Sequence, residues 1–146
     1  FDVYPYTAGA SMLSEALCAA AARTIVTWSE PHPEAAGREL GDVARSMGLT
    51  QADAIQALLP GGAIYFLMHD ADVQRILSHP EAMIGSDGVA TQHPHPRLWG
   101  AFTRVLGHYS RDAGLFSFEE AVRRMTSLPA ARFGFADRGI LRPGAY

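Results

Sequence analysis

The sequence predicts an α/β fold, because short apolar segments typical of strands alternate with segments of helical periodicity. The strand-like segments are rich in aromatic and β-branched residues, and proline or glycine ends most of them. In the helical segments apolar residues recur every three or four positions, which buries one face of a helix. There are only about five strand candidates, too few to close an eight-stranded barrel.

The predicted strands are short runs of residues that fit a buried, pleated surface. Between them, proline-containing loops are predicted at residues 29–33 and 91–96, and Gly61-Gly62 is predicted as a flexible joint. In chain order the strands are predicted at residues 1–6, 24–28, 63–68, 83–86 and 139–144.

Capping and breaking residues mark the ends of the predicted helices. Ser11, Thr50, Asp70 and Ser117 stand where a polar side chain can cap a helix N-terminus. Gly48 stands where a residue in the left-handed conformation can end a helix. In chain order the helices are predicted at residues 11–23, 37–47, 50–59, 70–78, 98–109, 118–128 and 129–133.

The composition is typical of a folded globular protein and excludes several kinds of site. Hydrophobic residues make up 48% of the chain and charged residues 18%. The net charge of −3 gives no broad attraction for nucleic acid, and no apolar run approaches the ~20 residues of a membrane-spanning helix. All 12 basic residues are arginine, which excludes a Schiff-base lysine, and the single Cys18 excludes an internal disulfide. We expect a cytoplasmic location.

A carboxylate stands at the end of one strand candidate. Asp87 follows the small and apolar residues 83–86, and Gly88 comes directly after it. In α/β barrels the reacting groups lie at the C-terminal ends of strands, where an aspartate can bind a metal ion or accept a proton. An Asp-Gly pair by itself is more typical of an ordinary turn. The proline-rich loop that follows, through Arg97 to Gly100, favours the functional interpretation.

Six short motifs follow one another along the chain. They are DVYPYTAG at residues 2–9, GAIYF at 62–66, IGSDG at 84–88, HPRLWG at 95–100, FTRVLGHY at 102–109 and RGILRPG at 138–144. In this order they resemble the C-terminal part of the N-acyl-D-amino-acid deacylases (D-aminoacylases) of the amidohydrolase superfamily. The likeness covers nearly the whole chain.

The resemblance implies a zinc-dependent (β/α)8 TIM-like barrel with a small β-sandwich domain, of which this chain holds the last barrel strands. Residues 1–9 would form a barrel strand and active-site loop, and residues 10–68 a helical, lid-like insertion. Residues 69–134 would contain the last barrel strand and its helices, and residues 135–146 the beginning of the return to the small β domain. The implied reaction is hydrolysis of the amide of an N-acyl-D-amino acid, a small molecule, to a D-amino acid and a carboxylate.

The family's site residues transfer to three matching positions. Asp87 would contact the zinc, accept a proton from the attacking water and return it to the leaving amine. Arg97 would pair with the substrate carboxylate, for which its planar fork is suited, and Tyr4 would be a second contact to that carboxylate. The other zinc ligands of the family lie on earlier strands, in the rest of the same enzyme chain. Cys18 is not the family's cysteine ligand.

One departure from the family pattern concerns a serine that helps to hold the carboxylate. The family motif reads A-G-S-T, but Ala10 occupies the serine position here and Ser11 follows it. Either Ser11 replaces that serine as a substrate contact after a small shift, or one hydrogen bond to the substrate is missing.

Two other functions stay open at this point. Another amidohydrolase, of the dihydroorotase or hydantoinase type, would keep Asp87, although the Y-P-Y and H-P-R loops would not be expected in it. A non-catalytic domain would use Arg97 and Tyr4 to bind a carboxylate without any metal.

The chain also looks cut from a longer protein, and we expect it to be inactive when expressed alone. Its barrel strands would have unpaired edges, and most zinc ligands would be missing. The isolated chain should therefore be aggregated or molten, with order kept mainly in the helices at residues 98–109 and 118–128.

Overall fold

The computed structural model describes residues 1–91 and 93–146, which form two compact units. The helical unit comprises Phe1–Tyr6, Asp70–Asp87 and Pro96–Tyr146. The sheet unit comprises Thr7–His69 and Gly88–His95. None of the helices in the described part of the chain is long and apolar enough to cross a bilayer.

The predicted alternation of strands and helices is present in the structure. In chain order the elements are β1 (Asp2–Val3), β2 (Ala8–Met12), α1 (Glu15–Ala20), β3 (Arg23–Ser29), a 3-10 turn (Pro33–Ala35), α2 (Leu40–Met47), α3 (Gln51–Leu58), β4 (Gly61–Phe66), α4 (Asp70–Leu77), β5 (Met83–Ile84), α5 (Arg97–Arg104), a π-helix (Val105–Asp112), α6 (Phe118–Met125) and α7 (Ser127–Arg132).

The sheet unit is built on an antiparallel sheet in the order β2-β4-β3. The central strand β4 pairs with β2 on one edge and with β3 on the other, and nearly all of its residues are buried. Helices α2 and α3 contribute Leu40, Val43, Ile55 and Leu58 to the core on one face of this sheet. The segment at 10–68, predicted as a helical insertion, therefore contains a sheet as well as helices.

Local sequence signals set the ends of α2 and α3, as predicted. Gly48 ends α2 in the left-handed conformation with φ 68°. Thr50 caps α3 by accepting a hydrogen bond from the Asp53 backbone N–H at 3.2 Å. These signals act within a few residues, which is why the sequence alone reveals them.

Two predictions in the sheet unit are wrong because tertiary pairing overrides local preference. Residues 11–23 were expected to form one helix capped by Ser11, but Ser11 lies in β2, and the N-cap of α1 is Ser14. Pairing with β4 extends Ser11 and Met12, whereas the alanine-rich run that follows does form the short helix α1. Gly61 and Gly62 are the first residues of β4 rather than a joint. A Cβ on Gly61 would lie 2.7 Å from the Leu58 carbonyl oxygen, and one on Gly62 would overlap the Trp28 indole nitrogen.

The helical unit contains a two-stranded parallel sheet, in which Asp2 is opposite Met83 and Val3 opposite Ile84. Both strands are shorter than the predicted segments 1–6 and 83–86. The core beside them is formed by Val73, Leu77, Ile84, Val105, Tyr109 and Ala121.

The remaining differences from prediction lie in the C-terminal helices. The helix expected at residues 98–109 changes from α to π geometry at Val105. Ser117 caps α6 as predicted, but Thr126, with φ −132° and ψ −85°, separates α6 from α7. Asp70, which was predicted to cap α4 from outside the helix, is the first helical residue of α4. The segment predicted as a strand at 139–144 contains only turns and irregular structure.

Candidate active site

The parallel pair β1–β5 brings two predicted site residues to the same edge of a sheet. Parallel strands end on the same side, and Tyr4 follows β1 directly while Asp87 lies three residues beyond β5. The pairing continues past the strands, because the Gly85 backbone N–H donates to the Val3 carbonyl oxygen at 3.0 Å. A Cβ on Gly85 would lie 2.9 Å from Asp2 Oδ2, so glycine lets the two segments approach here.

Arg97, the first residue of α5, joins these two residues into one cluster. Its Nη2 is 2.9 Å from Asp87 Oδ2. Its guanidinium carbon lies 4.5 Å from the centroid of the Tyr4 ring, in cation–π contact. The Arg97 side chain is 3% exposed, whereas the Asp87 side chain is 62% exposed. A buried cation is thus paired with a carboxylate that faces solvent.

The backbone at Asp87 is held in a conformation that few side chains adopt. Its φ is 45°, the single positive φ of a non-glycine residue in the described part of the chain. Such conformations persist where the surrounding structure fixes them, and they are common at functional sites. The turn character of the Asp-Gly pair and its functional interpretation are therefore compatible.

A second arginine of the same helix contacts the segment that carries Tyr4. Arg104 Nε donates to the Pro5 carbonyl oxygen at 2.8 Å, and its guanidinium lies 5.2 Å from the Tyr6 ring centroid. Arg104 is not among the site residues predicted from sequence. The available signal was its spacing of seven residues from Arg97, which places both arginines on one face of a helix.

A hydrogen bond from the buried Tyr109 to the exposed Asp70 supports this part of the helix. The Tyr109 hydroxyl donates to Asp70 Oδ1 at 3.0 Å. Hydrogen bonds from Gln74 and then from Tyr109 lower the pKa of Asp70 below its ordinary value. Burial, and then the bond to Asp70, raise the pKa of Tyr109. Both shifts keep the tyrosine a donor and the carboxylate an acceptor at neutral pH.

The profile of the amidohydrolase family matches residues 2–146 of the chain. The chain belongs to the amidohydrolase family. The membership that the six motifs predicted is confirmed.

The curated relatives of this amidohydrolase chain are deacylases of N-acyl-D-amino acids. It is 54% identical over 146 residues to a D-aminoacylase of Alcaligenes xylosoxydans xylosoxydans. It is 49% identical over 144 residues to an N-acyl-D-aspartate deacylase and 47% identical over 146 residues to an N-acyl-D-glutamate deacylase of that organism. The matches cover 98–99% of this chain but only 29–30% of the relatives' lengths.

Solved structures of the family share its backbone. An N-acyl-D-glutamate deacylase of Bordetella bronchiseptica, complexed with zinc and a phosphonate that mimics the tetrahedral intermediate, matches with a TM-score of 0.96 at 49% identity. A D-aminoacylase with a binuclear metal centre matches with a TM-score of 0.93 at 53% identity. Each match covers 99% of this chain and 31% of the other chain. The predicted α/β class is thereby confirmed as an amidohydrolase-type fold.

The described residues of the chain do not form a complete metal site by themselves. They contain no group of three or more His, Cys, Asp or Glu side chains that could hold one. The exposed carboxylate of Asp87 fits the role of a single ligand, whereas a catalytic zinc needs about three from protein. Cys18 lies in α1, where burial raises the pKa of its thiol, the opposite of what a thiolate ligand requires.

The fourth predicted site residue belongs to the other unit. Ser11 lies in β2 opposite Ala63, and Ala10 lies opposite Ile64. Because side chains alternate along a strand, Ala10 and Ser11 project from opposite faces of the sheet. The structure thus brings Tyr4, Asp87 and Arg97 together, while Ser11 is an exposed strand residue of the sheet unit.

Proposed function

We propose that this chain is part of a zinc-dependent N-acyl-D-amino-acid deacylase, which hydrolyses its substrate to a D-amino acid and a carboxylate. One observation carries the proposal: Tyr4, Asp87 and Arg97 form a contact cluster at the ends of two parallel strands. A strand-end carboxylate beside a carboxylate-binding arginine is what this reaction requires. The curated relatives named above are all deacylases, which favours this reaction over cyclic-amide hydrolysis and over simple binding.

The proposal gives each segment a place in a larger enzyme. Residues 1–9 and 69–134 would supply strands and helices of a (β/α)8 barrel, and residues 135–146 would lead to a small β domain. Residues 10–68 would be the lid-like insertion, and the compactness of Thr7–His69 supports treating that stretch as one body. The remaining barrel strands and zinc ligands would come from the rest of the same enzyme chain.

Asp87 would carry the proton transfer. Zinc, when bound, polarises the amide carbonyl and lowers the pKa of its water ligand. Asp87 would accept the proton of the attacking water and deliver it to the amine nitrogen as the C–N bond breaks. Since Oδ2 contacts Arg97, Oδ1 is the atom that we expect to hold the proton.

Arg97 and Tyr4 would bind the α-carboxylate of the substrate. A guanidinium carries five N–H donors in a fixed fork, enough to contact Asp87 and a substrate carboxylate together. The Tyr4 ring beneath the guanidinium would fix its plane, and the Tyr4 hydroxyl would be a second donor. The bound carboxylate would then lie beside Asp87 and orient the amide toward it.

The test uses the complete protein that contains this chain. We expect it to hydrolyse N-acetyl-D-amino acids but not the L-enantiomers, and to lose turnover when zinc is removed. Arg97→Lys should raise KM for the acids more than it lowers kcat, and it should leave the amidated substrates almost unaffected. Absence of turnover in the folded, zinc-loaded protein on all N-acyl-D-amino acids would refute the proposal.

A further inference from the structure

We propose that Arg104 is a positioning residue, which fixes the segment of residues 4–6 against α5 and thereby holds the Tyr4 ring at the carboxylate-binding site. This inference rests on the proposed function of Tyr4 and Arg97. Its basis is one face of α5. Gly100 and Arg104 lie three and seven positions after Arg97, so that all three residues face the segment of residues 4–6.

The backbone of the segment makes a tight turn whose central carbonyl is held by Arg104. The Tyr6 backbone N–H donates to the Tyr4 carbonyl oxygen at 3.0 Å, which closes a three-residue turn around Pro5. The Pro5 side chain is fully buried, and its carbonyl oxygen accepts the hydrogen bond from Arg104 Nε at 2.8 Å. Because the turn is only three residues long, the hydrogen bond that fixes its central carbonyl also fixes the orientation of the Tyr4 side chain.

Arg104 itself is fixed by aromatic neighbours. Its guanidinium lies 5.2 Å from the Tyr6 ring centroid and 5.5 Å from that of Tyr109, whose side chain is fully buried. Tyr109 lies in the π-helix, whose i→i+5 hydrogen bonds bring residues five apart, such as 104 and 109, to nearly the same side. The bond from Tyr109 to Asp70 anchors this support in α4.

Gly100 allows the helix and the segment to approach each other. A Cβ added at this position would lie 2.6 Å from the Tyr6 hydroxyl oxygen, so Tyr6 would have to move. Alanine favours a helix more than glycine does. Gly100→Ala should therefore displace the Tyr6 side chain from α5 without weakening the helix, which separates positioning from stability.

The experiment compares Arg104→Met, Arg104→Lys and Gly100→Ala in the complete, zinc-loaded enzyme. The matched control is Arg111→Met, in the π-helix, because Arg111 is 74% exposed and pairs only locally with Asp112. We expect Arg104→Met to raise KM for N-acyl-D-amino acids on the order of tenfold, the effect of one lost charge-assisted hydrogen bond, with kcat within about threefold. Gly100→Ala should shift KM in the same direction, Arg104→Lys should recover part of the loss, and Arg111→Met should match the wild type.

Amidated substrates and variant crystal structures complete the test. KM for substrates without the carboxylate should not change, and the Tyr4 ring should move from its 4.5 Å contact with Arg97 in Arg104→Met. Equal losses on acids and amides, or an unmoved Tyr4 ring with unchanged KM, would overturn the inference. If the wild-type enzyme turns over no N-acyl-D-amino acid, the proposed function fails, and the position of Tyr4 in the crystal structures still decides whether Arg104 positions it.

Discussion

At the scale of single residues, Asp87 combines three properties that rarely coincide by chance. Its backbone is in the left-handed region, its carboxylate is largely exposed, and its partner Arg97 is buried. A residue that served only to form a turn would need neither an exposed carboxylate nor a buried arginine partner. Exposure keeps one carboxylate oxygen accessible to a substrate, and the buried arginine fixes the direction of the other.

We predict that Asp87→Asn in the complete enzyme lowers kcat about 10²–10⁴-fold, because an amide cannot shuttle a proton. The amide oxygen can still accept the hydrogen bond from Arg97, so the melting temperature should change little. Steady-state kinetics and thermal unfolding of the same preparation check both parts. An Asn variant within threefold of wild type would remove Asp87 from the mechanism.

Ala10 stands where the family motif has a serine, and the register of β2 determines which face of the sheet each of residues 10 and 11 occupies. Because Ala10 and Ser11 project from opposite faces of β2, Ser11 cannot replace a serine at position 10 without a change of register. The family pattern, in which a serine at this position helps to hold the substrate carboxylate, predicts that Ala10→Ser adds one hydrogen bond to that group, about 1.5–3 kcal/mol, and lowers KM about tenfold or more. Ser11→Ala is the matched control and should leave KM unchanged. A large rise of KM in Ser11→Ala would instead establish Ser11 as the substrate contact.

At the scale of elements, the Tyr65 hydroxyl connects β4 with the start of α1. It donates to the Met12 carbonyl oxygen at 2.7 Å and accepts from the Ser14 backbone N–H at 3.0 Å. Burial raises the pKa of Tyr65 to about 12 from its ordinary value of 10.0. The hydroxyl therefore stays neutral in the folded sheet unit where an unfolded chain would already ionise it.

We predict that this hydroxyl makes the sheet unit sensitive to high pH. Its stabilisation is fully present below about pH 10 and is lost as pH rises through about 12, because the folded state holds a proton that the unfolded state releases. Tyrosinate absorbance and circular dichroism should show late ionisation accompanied by unfolding. In Tyr65→Phe the late component should shrink to the contribution of Tyr109, whose pKa is also raised, and stability at neutral pH should fall by about 1–3 kcal/mol. Ionisation of all tyrosines near pH 10 would contradict the prediction.

The same scale shows why some of the fold follows from sequence and some does not. The caps at Thr50 and Ser117 and the terminator Gly48 act over three or four residues, so the helices they bound are predictable. Strand β2 depends on its pairing with β4, some fifty residues later, and the alanine-rich run directly after it favoured a helix that starts too early. The change to π geometry after Arg104 likewise has no local sequence signal that we can name.

The residues of the candidate site that stand at strand ends or at the site positions of family motifs could be predicted from the sequence, and the remaining ones could not. Tyr4, Asp87 and Arg97 stand in recognisable motifs, and parallel pairing of β1 and β5 brings Tyr4 and Asp87 to one edge, whereas the contacts of Arg97 depend on the placement of α5. Arg104 was missed, although it stands in the FTRVLGHY motif, because its hydrogen-bond acceptor is a backbone carbonyl, that of Pro5, which carries no side-chain identity. Contacts to backbone leave little trace in a single sequence.

At the scale of the whole molecule, the two units differ in how completely their sheets are paired. Strand β4 is hydrogen-bonded on both edges and lies over its own core. Strands β1 and β5 have one partner each and are two residues long. In an isolated chain the sheet unit should therefore be more ordered than the strands of the helical unit. Strands with an unpaired edge exchange their amide hydrogens quickly and associate readily with other chains. We therefore expect the sheet unit to keep order as well, which departs from the expectation that order stays mainly in the helices at residues 98–109 and 118–128.

Our last prediction is that the 146-residue chain alone is catalytically inactive and unevenly protected in hydrogen exchange. Amides of β4 should exchange most slowly, those of β1 and β5 should exchange within the shortest times, and α5 and α6 should be intermediate. Zinc should not raise the melting temperature, because the described residues contain no group of three or more possible ligands and stabilisation requires binding to the folded state. Uniform protection across both units, or a zinc-dependent rise in melting temperature, would mean that the strands of the helical unit are complete as they stand.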